Sequence, residues 1–229
     1  MIPVTDYEPT VEIPEQASFW MPTEDDIPDD EGLGYFRDVW MILNEPLKYS
    51  QPLIKSETEF IEIVDSVAKS VEDYETLASL IENGETGRVD LGSLQHRFEV
   101  EAPAIFDRAE EDELPLRSLE LGVAGLSYAL STIGAVPVAS CRGHIGGWSD
   151  QPVVYAAIDE QRAHWLQPLV REAGCGFHIG VNREEFLAID GPSIRHTNDL
   201  ARAVISKFDG RAKIFDRWLD VESIYHRYE

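Results

Sequence analysis

SLELGVAGLSYALSTIGAVPVASCRGHIGGWSDQPVVYAAI, residues 118–158, is the stretch whose reading decides the fold. Leu119, Val123, Leu126, Leu130 and Ile133 recur three or four places apart. With Ser118 as cap and Gly134 as stop, they predict a helix. Val136 to Ser140 then predicts a strand, Cys141 to Asp150 a Gly-rich loop, and Val153 to Ile158 a second strand. The pattern continues downstream. Asp159 caps a predicted helix through Ala163, Leu166, Val170 and Ala173, stopped by Gly174 and kinked at Pro168. Phe177–Val181 and Phe186–Ile189 read as two further strands. Two closing helices follow, along Leu200, Val204 and Phe208, then Ile214, Trp218, Val221 and Tyr225. The order αββαββαα over 116–229 predicts an α+β domain with a small, mostly antiparallel sheet covered by helices.

Upstream the composition changes. Residues 1–115 carry 29 acids and 7 bases, whereas 116–229 carry 14 acids and 12 bases, so nearly all of the net charge of −24 lies in the N-terminal half. Residues 1–33 hold ten acids, five prolines and no Lys or Arg. Such a segment buries too little apolar surface to offset its ordering entropy, which predicts an extended or disordered arm. Phe19-Trp20-Met21 interrupts it and is expected to dock on the chain's own domain. Residues 34–115 read as an acidic helical region. Tyr35–Leu43 gives a short helix. A long one is expected behind the Ser56/Glu59 capping box, through Phe60, Val64, Val67, Val71, Tyr74, Leu77 and Ile81, stopped by Asn83-Gly84. Residues 99–115, acidic and Pro-bounded, mark the expected domain boundary.

The acidity excludes some partners. Phosphate backbones are bound by Lys and Arg, so nucleic acid is not expected, and anionic membranes are repelled in the same way. A basic protein, or no partner at all, is the natural counterpart: the first predicts an immunity-, antitoxin- or inhibitor-like binding protein, the second acidity that serves solubility or a salty cytoplasm. No apolar run approaches the roughly 20 residues that span a bilayer, and no basic-then-apolar leader opens the chain. The expected compartment is the cytoplasm, where two cysteines stay reduced.

Chemistry gathers in two motifs. The two cysteines are each followed three places later by histidine, as Cys141-Arg142-Gly143-His144 and Cys175-Gly176-Phe177-His178. Thiolate and imidazole are preferred zinc ligands, so Cys141, His144, Cys175 and His178 form a candidate Cys2His2 site. The first pair sits in a loop with Gly143, where both side chains can turn to one ion. The second begins a strand, where positions three apart face opposite sides unless a bulge intervenes.

A second reading makes Cys141 a nucleophile with His144 or His178 as base and Asp150 as orienter, the thiolate favoured by Arg142. A third has Arg142, Gly143, Gly146 and Gly147 grip a small anion through Arg and backbone N–H groups. In the plainest reading both cysteines are small core residues. Ser140-Cys141-Arg142-Gly143-His144 also resembles, over these five residues alone, the Ser-Cys-x-Gly-Arg signature of the tRNA wybutosine-synthesis methyltransferase family, with His144 in place of the final Arg. A tRNA substrate suits so acidic a chain poorly, and no function is carried over.

Overall fold

A computed structural model describes residues 1–21, 46–83, 95–105, 116–144, 149–181 and 183–208. The expected helices at 35–43 and 214–225, most of the 99–115 boundary, and Gly146 and Gly147 lie outside these residues.

The described elements run α1 (Leu47–Val67), α2 (Val71–Asn83), α3 (Gln95–Glu101), α4 (Ala124–Thr132), β1 (Val136–Cys141), β2 (Val153–Ala157), α5 (Glu160–Glu172), β3 (Gly176–Gly180), β4 (Arg183–Asp190) and α6 (Ile194–Lys207). The fold is α+β. Its four strands pair antiparallel throughout, in the order β1-β2-β4-β3.

Alternation along the strands sorts the core into two. Val154, Ala156, Phe177, Leu187 and Ile189 face a large cluster shared with α1, α2, α4, α5 and α6. Val136, Val138, Val153, Tyr155, Ala157, Phe186 and Ala188 face the other side. Trp20 packs there, its ring 5.8 Å from that of Phe186. The docking expected of Phe19-Trp20-Met21 thus falls to its middle residue, while Phe19 is exposed. The acidic helices share the large cluster with the sheet. Among the described residues no helix is long and apolar enough to cross a membrane.

Two helix starts differ from the sequence expectation. The long predicted helix is two, broken at Ala68, which is extended with ψ 125°. Ser70 Oγ accepts from Asp73 N (3.1 Å) and Asp73 Oδ2 from Lys69 N (2.8 Å), so the working capping box is Ser70/Asp73, not Ser56/Glu59. Ser118 does not cap α4 either. It lies in a left-handed turn at φ 66°, and α4 starts six residues later. The amides before and within that first turn bond instead to Glu57 of α1: Oε1 accepts from Gly122 N (2.8 Å) and Oε2 from Gly125 N (3.0 Å). Asn198 of α6 adds a third donor at 3.0 Å. A Cβ on Gly125 would lie 2.2 Å from Glu57 Oε2, so glycine is required there. Burial pushes the Glu57 carboxyl up to about 7 against these donors. The α5 start follows expectation, with Asp159 Oδ1 accepting from Arg162 N at 2.7 Å.

Candidate functional site

The register places Cys141, Val153, Asp190 and Gly176 in one row across one end of the sheet. With strands about 4.8 Å apart, the Cys141 and Cys175 positions at its two edges lie three spacings from each other, about 14 Å. The structure therefore does not bring the two Cys/His motifs to one ion, and the four-ligand set is not assembled.

The first motif converges with residues from elsewhere. Gly143 adopts φ 88°, and a Cβ on it would lie 2.8 Å from the Asp150 carbonyl oxygen. This left-handed turn brings His144 back toward Cys141, and His144 N bonds to the Ser149 carbonyl at 2.7 Å. Glu120, just before α4, completes the group. Its carboxylate, Cys141 Sγ and a His144 ring nitrogen all lie within 4.8 Å of one another. Glu120 Oε1 is 3.1 Å from His144 Nε2, and Oε2 accepts from Arg142 N at 2.7 Å. On the other side of the ring, His144 Nδ1 is 3.5 Å from Glu75 Oε2 of α2. The ring is thus held between carboxylates of Glu120 and Glu75. Asp150, expected as orienter, lines the adjoining cleft.

Arg142 is buried, with its side chain 3 % exposed. It does not present a guanidinium to solvent as an anion grip would. Nη1 donates to Glu75 (2.5 Å) and Nε to Glu82 (2.7 Å), and the group lies over the Tyr74 ring at 5.5 Å. Glu82 Oε1 also accepts from Leu121 N at 2.9 Å, so one carboxylate ties α2 both to Arg142 and to the segment bearing Glu120.

The expected thiolate is not favoured here. Burial pushes the Cys141 thiol above its ordinary value and Glu120 adds to this, outweighing the Gly143 N–H and Arg142. A cleft of about 400 Å³ opens beside this cluster. Its walls are residues 3–7 of the arm, Tyr74 and Glu75, the Arg142–Gly143 and Asp150–Pro152 segments, and Pro192–Ile194 at the start of α6.

The second motif does something else. Cys175 is fully buried, its Sγ 3.1 Å from where a Cβ on Gly191 would lie. Burial raises its thiol far above the ordinary range. His178 points away, with Nδ1 2.9 Å from its neighbour's carbonyl at Ile179 and Nε2 3.4 Å from Asp190 Oδ2. The same oxygen accepts from Tyr7 OH at 2.9 Å, while Asp190 Oδ1 is buried with no hydrogen-bond partner among the described residues. Burial raises the Asp190 carboxyl above its ordinary value, against the pull of His178.

Of the residues expected from sequence, then, Cys141 and His144 meet, and Cys175 and His178 do not join them. Glu120, Glu75 and Glu82 were not expected. They lie 21 to 66 residues upstream of Cys141 in unremarkable acidic stretches. No family model, curated protein or solved structure matches this chain.

Proposed function

We propose that the chain is a metalloprotein whose centre is Glu120, Cys141 and His144, taking a zinc-like divalent ion and leaving one coordination position open. The observation that carries this reading is the convergence of the three side chains, one thiol, one imidazole and one carboxylate, within 4.8 Å. That donor set suits zinc. Three protein ligands with a vacant fourth position is the pattern of reactive rather than purely structural zinc sites. The second support is Glu75. A ligating histidine commonly presents its other ring nitrogen to a carboxylate, which fixes ring orientation, and Glu75 stands opposite Nδ1. Arg142 holds Glu75 in that place. An ion there would supply Lewis acidity to a polar group entering from the cleft. Asp150 and Tyr7 are among the residues lining that cleft.

Titration of the purified chain with Zn²⁺, and with Co²⁺ as a spectroscopic stand-in, tests this. One equivalent should bind with a thiolate-to-Co²⁺ absorption band; the band should be lost in Cys141→Ser, and affinity should fall about a hundredfold or more in both Cys141→Ser and His144→Ala. Equal binding by the parent chain and both variants would end the reading.

A second reading is the acidic binding protein, engaging a basic protein surface. The specific observation favouring it is that Asp6, Glu75 and Asp150 line the cleft while the Arg142 charge is already paired. Association with basic proteins should slow steeply as salt shortens the screening length from about 30 Å at 0.01 M to about 8 Å at 0.15 M. A real complex whose on-rate ignores salt would remove the steering argument.

A further inference from the structure

We propose that residues 3–12 form a strap that lifts as a unit from the end of the sheet and opens the cleft, with the Tyr7–Asp190 bond as its latch. The strap is tethered on both sides. Before it, Ile2 is buried and its N–H donates to Asp65 Oδ1 of α1 at 2.8 Å. After it, Ile13 and Ala17 pack on the large core and Trp20 on the smaller one. Between these anchors no residue is buried, and Val4 is 65 % exposed.

Hydrogen bonds hold the intervening chain to the sheet end. Thr5 N donates to the Pro192 carbonyl (2.9 Å), Phe177 N to the Thr10 carbonyl (2.7 Å), and Tyr7 OH to Asp190 (2.9 Å). Thr5 Oγ1 adds a second bond to the Pro192 carbonyl (3.1 Å), and Glu12 pairs with Gln167 (2.8 Å) and Arg171 (3.1 Å) of α5 at the strap's far end. A segment with no buried residue, held by a few part-buried hydrogen bonds, opens at a fraction of the global unfolding cost. Since Pro3 to Tyr7 make one wall of the cleft, lifting them opens it.

The seat and the latch are both built for release. Gly176 of the edge strand β3 leaves room for the strap, because a Cβ there would lie 2.7 Å from both Pro9 Cβ and Thr10 N. Its backbone has no left-handed φ, so alanine is compatible with the strand and conflicts only with the strap. The latch resists weakly. When Tyr7 leaves, Asp190 Oδ2 keeps His178 within reach at 3.4 Å, and the opened cleft admits water to the carboxylate in place of the Tyr7 hydroxyl.

Amide hydrogen exchange on the full chain tests the proposal. In the parent chain the Thr5 and Phe177 amides should exchange together, at least ~100-fold faster than those of Ala156 and Leu187 in the β2–β4 pairing. Gly176→Ala and, separately, Tyr7→Phe should each speed Thr5 and Phe177 by about tenfold or more and leave Ala156 and Leu187 unchanged. The proposal is overturned if Thr5 and Phe177 exchange only as slowly as the central strands. It is overturned equally if they respond independently, or if Tyr7→Phe, which removes one hydroxyl, leaves both unchanged.

Discussion

Cys141-x-x-His144 and Cys175-x-x-His178 have the same spacing and opposite fates. The first leaves the end of β1 into a loop where Gly143 takes a left-handed conformation, and its two side chains fold back to Glu120. The second stays within a strand register, where the sulfur goes to the core and the ring to the Tyr7–Asp190 side. Spacing alone does not make a site. A backbone able to reverse within it does, together with a third group delivered from elsewhere.

The widest gap between the two regions should come from Arg142. Arg142→Met leaves Glu82, largely covered, and Glu75, a third exposed, without their cation. Loss of one partner of a buried charge pair costs about 3–5 kcal/mol, measurable by urea denaturation. No residue of the second motif should approach that figure, and an equal loss from His178→Ala would undo the contrast.

Next in size is metal affinity. Cys141→Ser should weaken Zn²⁺ binding about a hundredfold or more, equivalent to about 2.7 kcal/mol, while Cys175→Ser leaves it unchanged. Glu75→Gln, which keeps shape but weakens the acceptor behind the ring, should cost about tenfold. Competition with a chromophoric chelator reads all three.

A smaller effect of about 1–3 kcal/mol is expected for Glu57→Gln, because an amide turns an N–H₂ toward donors that need an acceptor. Its pH dependence has a definite sign. The folded carboxyl is raised from the ordinary value of 4.5 to about 7, so the folded chain binds a proton that the unfolded chain has released. That group's contribution to stability is present in full below about 4.5 and is lost as pH rises through 7. The deficit of Glu57→Gln relative to the parent should therefore widen between pH 8 and pH 5. A gap that narrows would show that Glu57 is not the titrating group.

Periodicity and local caps made much of the fold legible. The four strands, the Asp159 cap and the apolar line of α5 all depend on neighbours within a few residues, and those survive folding unchanged. The split between α1 and α2 was hidden because apolar spacing continues through Val67, Val71 and Tyr74, while the break is made by Ser70 and Asp73 side chains. The start of α4 was hidden because its cap is 65 residues away in Glu57. For the site, the loop with Gly143 announced that Cys141 and His144 could converge. Nothing local marked Glu120 or Glu75, which differ from the other acids only in where tertiary packing puts them.

The Glu57 arrangement also bears on the order in which the molecule can assemble. The first turn of α4 is completed by Glu57, 65 residues upstream, and that side chain is steadied by Asn198, which lies 141 residues after Glu57. A nascent chain that has made α4 but not α6 still lacks one of the carboxylate's donors. Its most enclosed helix therefore closes only after the last described one arrives. The entropic cost of closing such a loop rises with the logarithm of its span and is incurred before the contact it brings, so pairings of this range form late in folding.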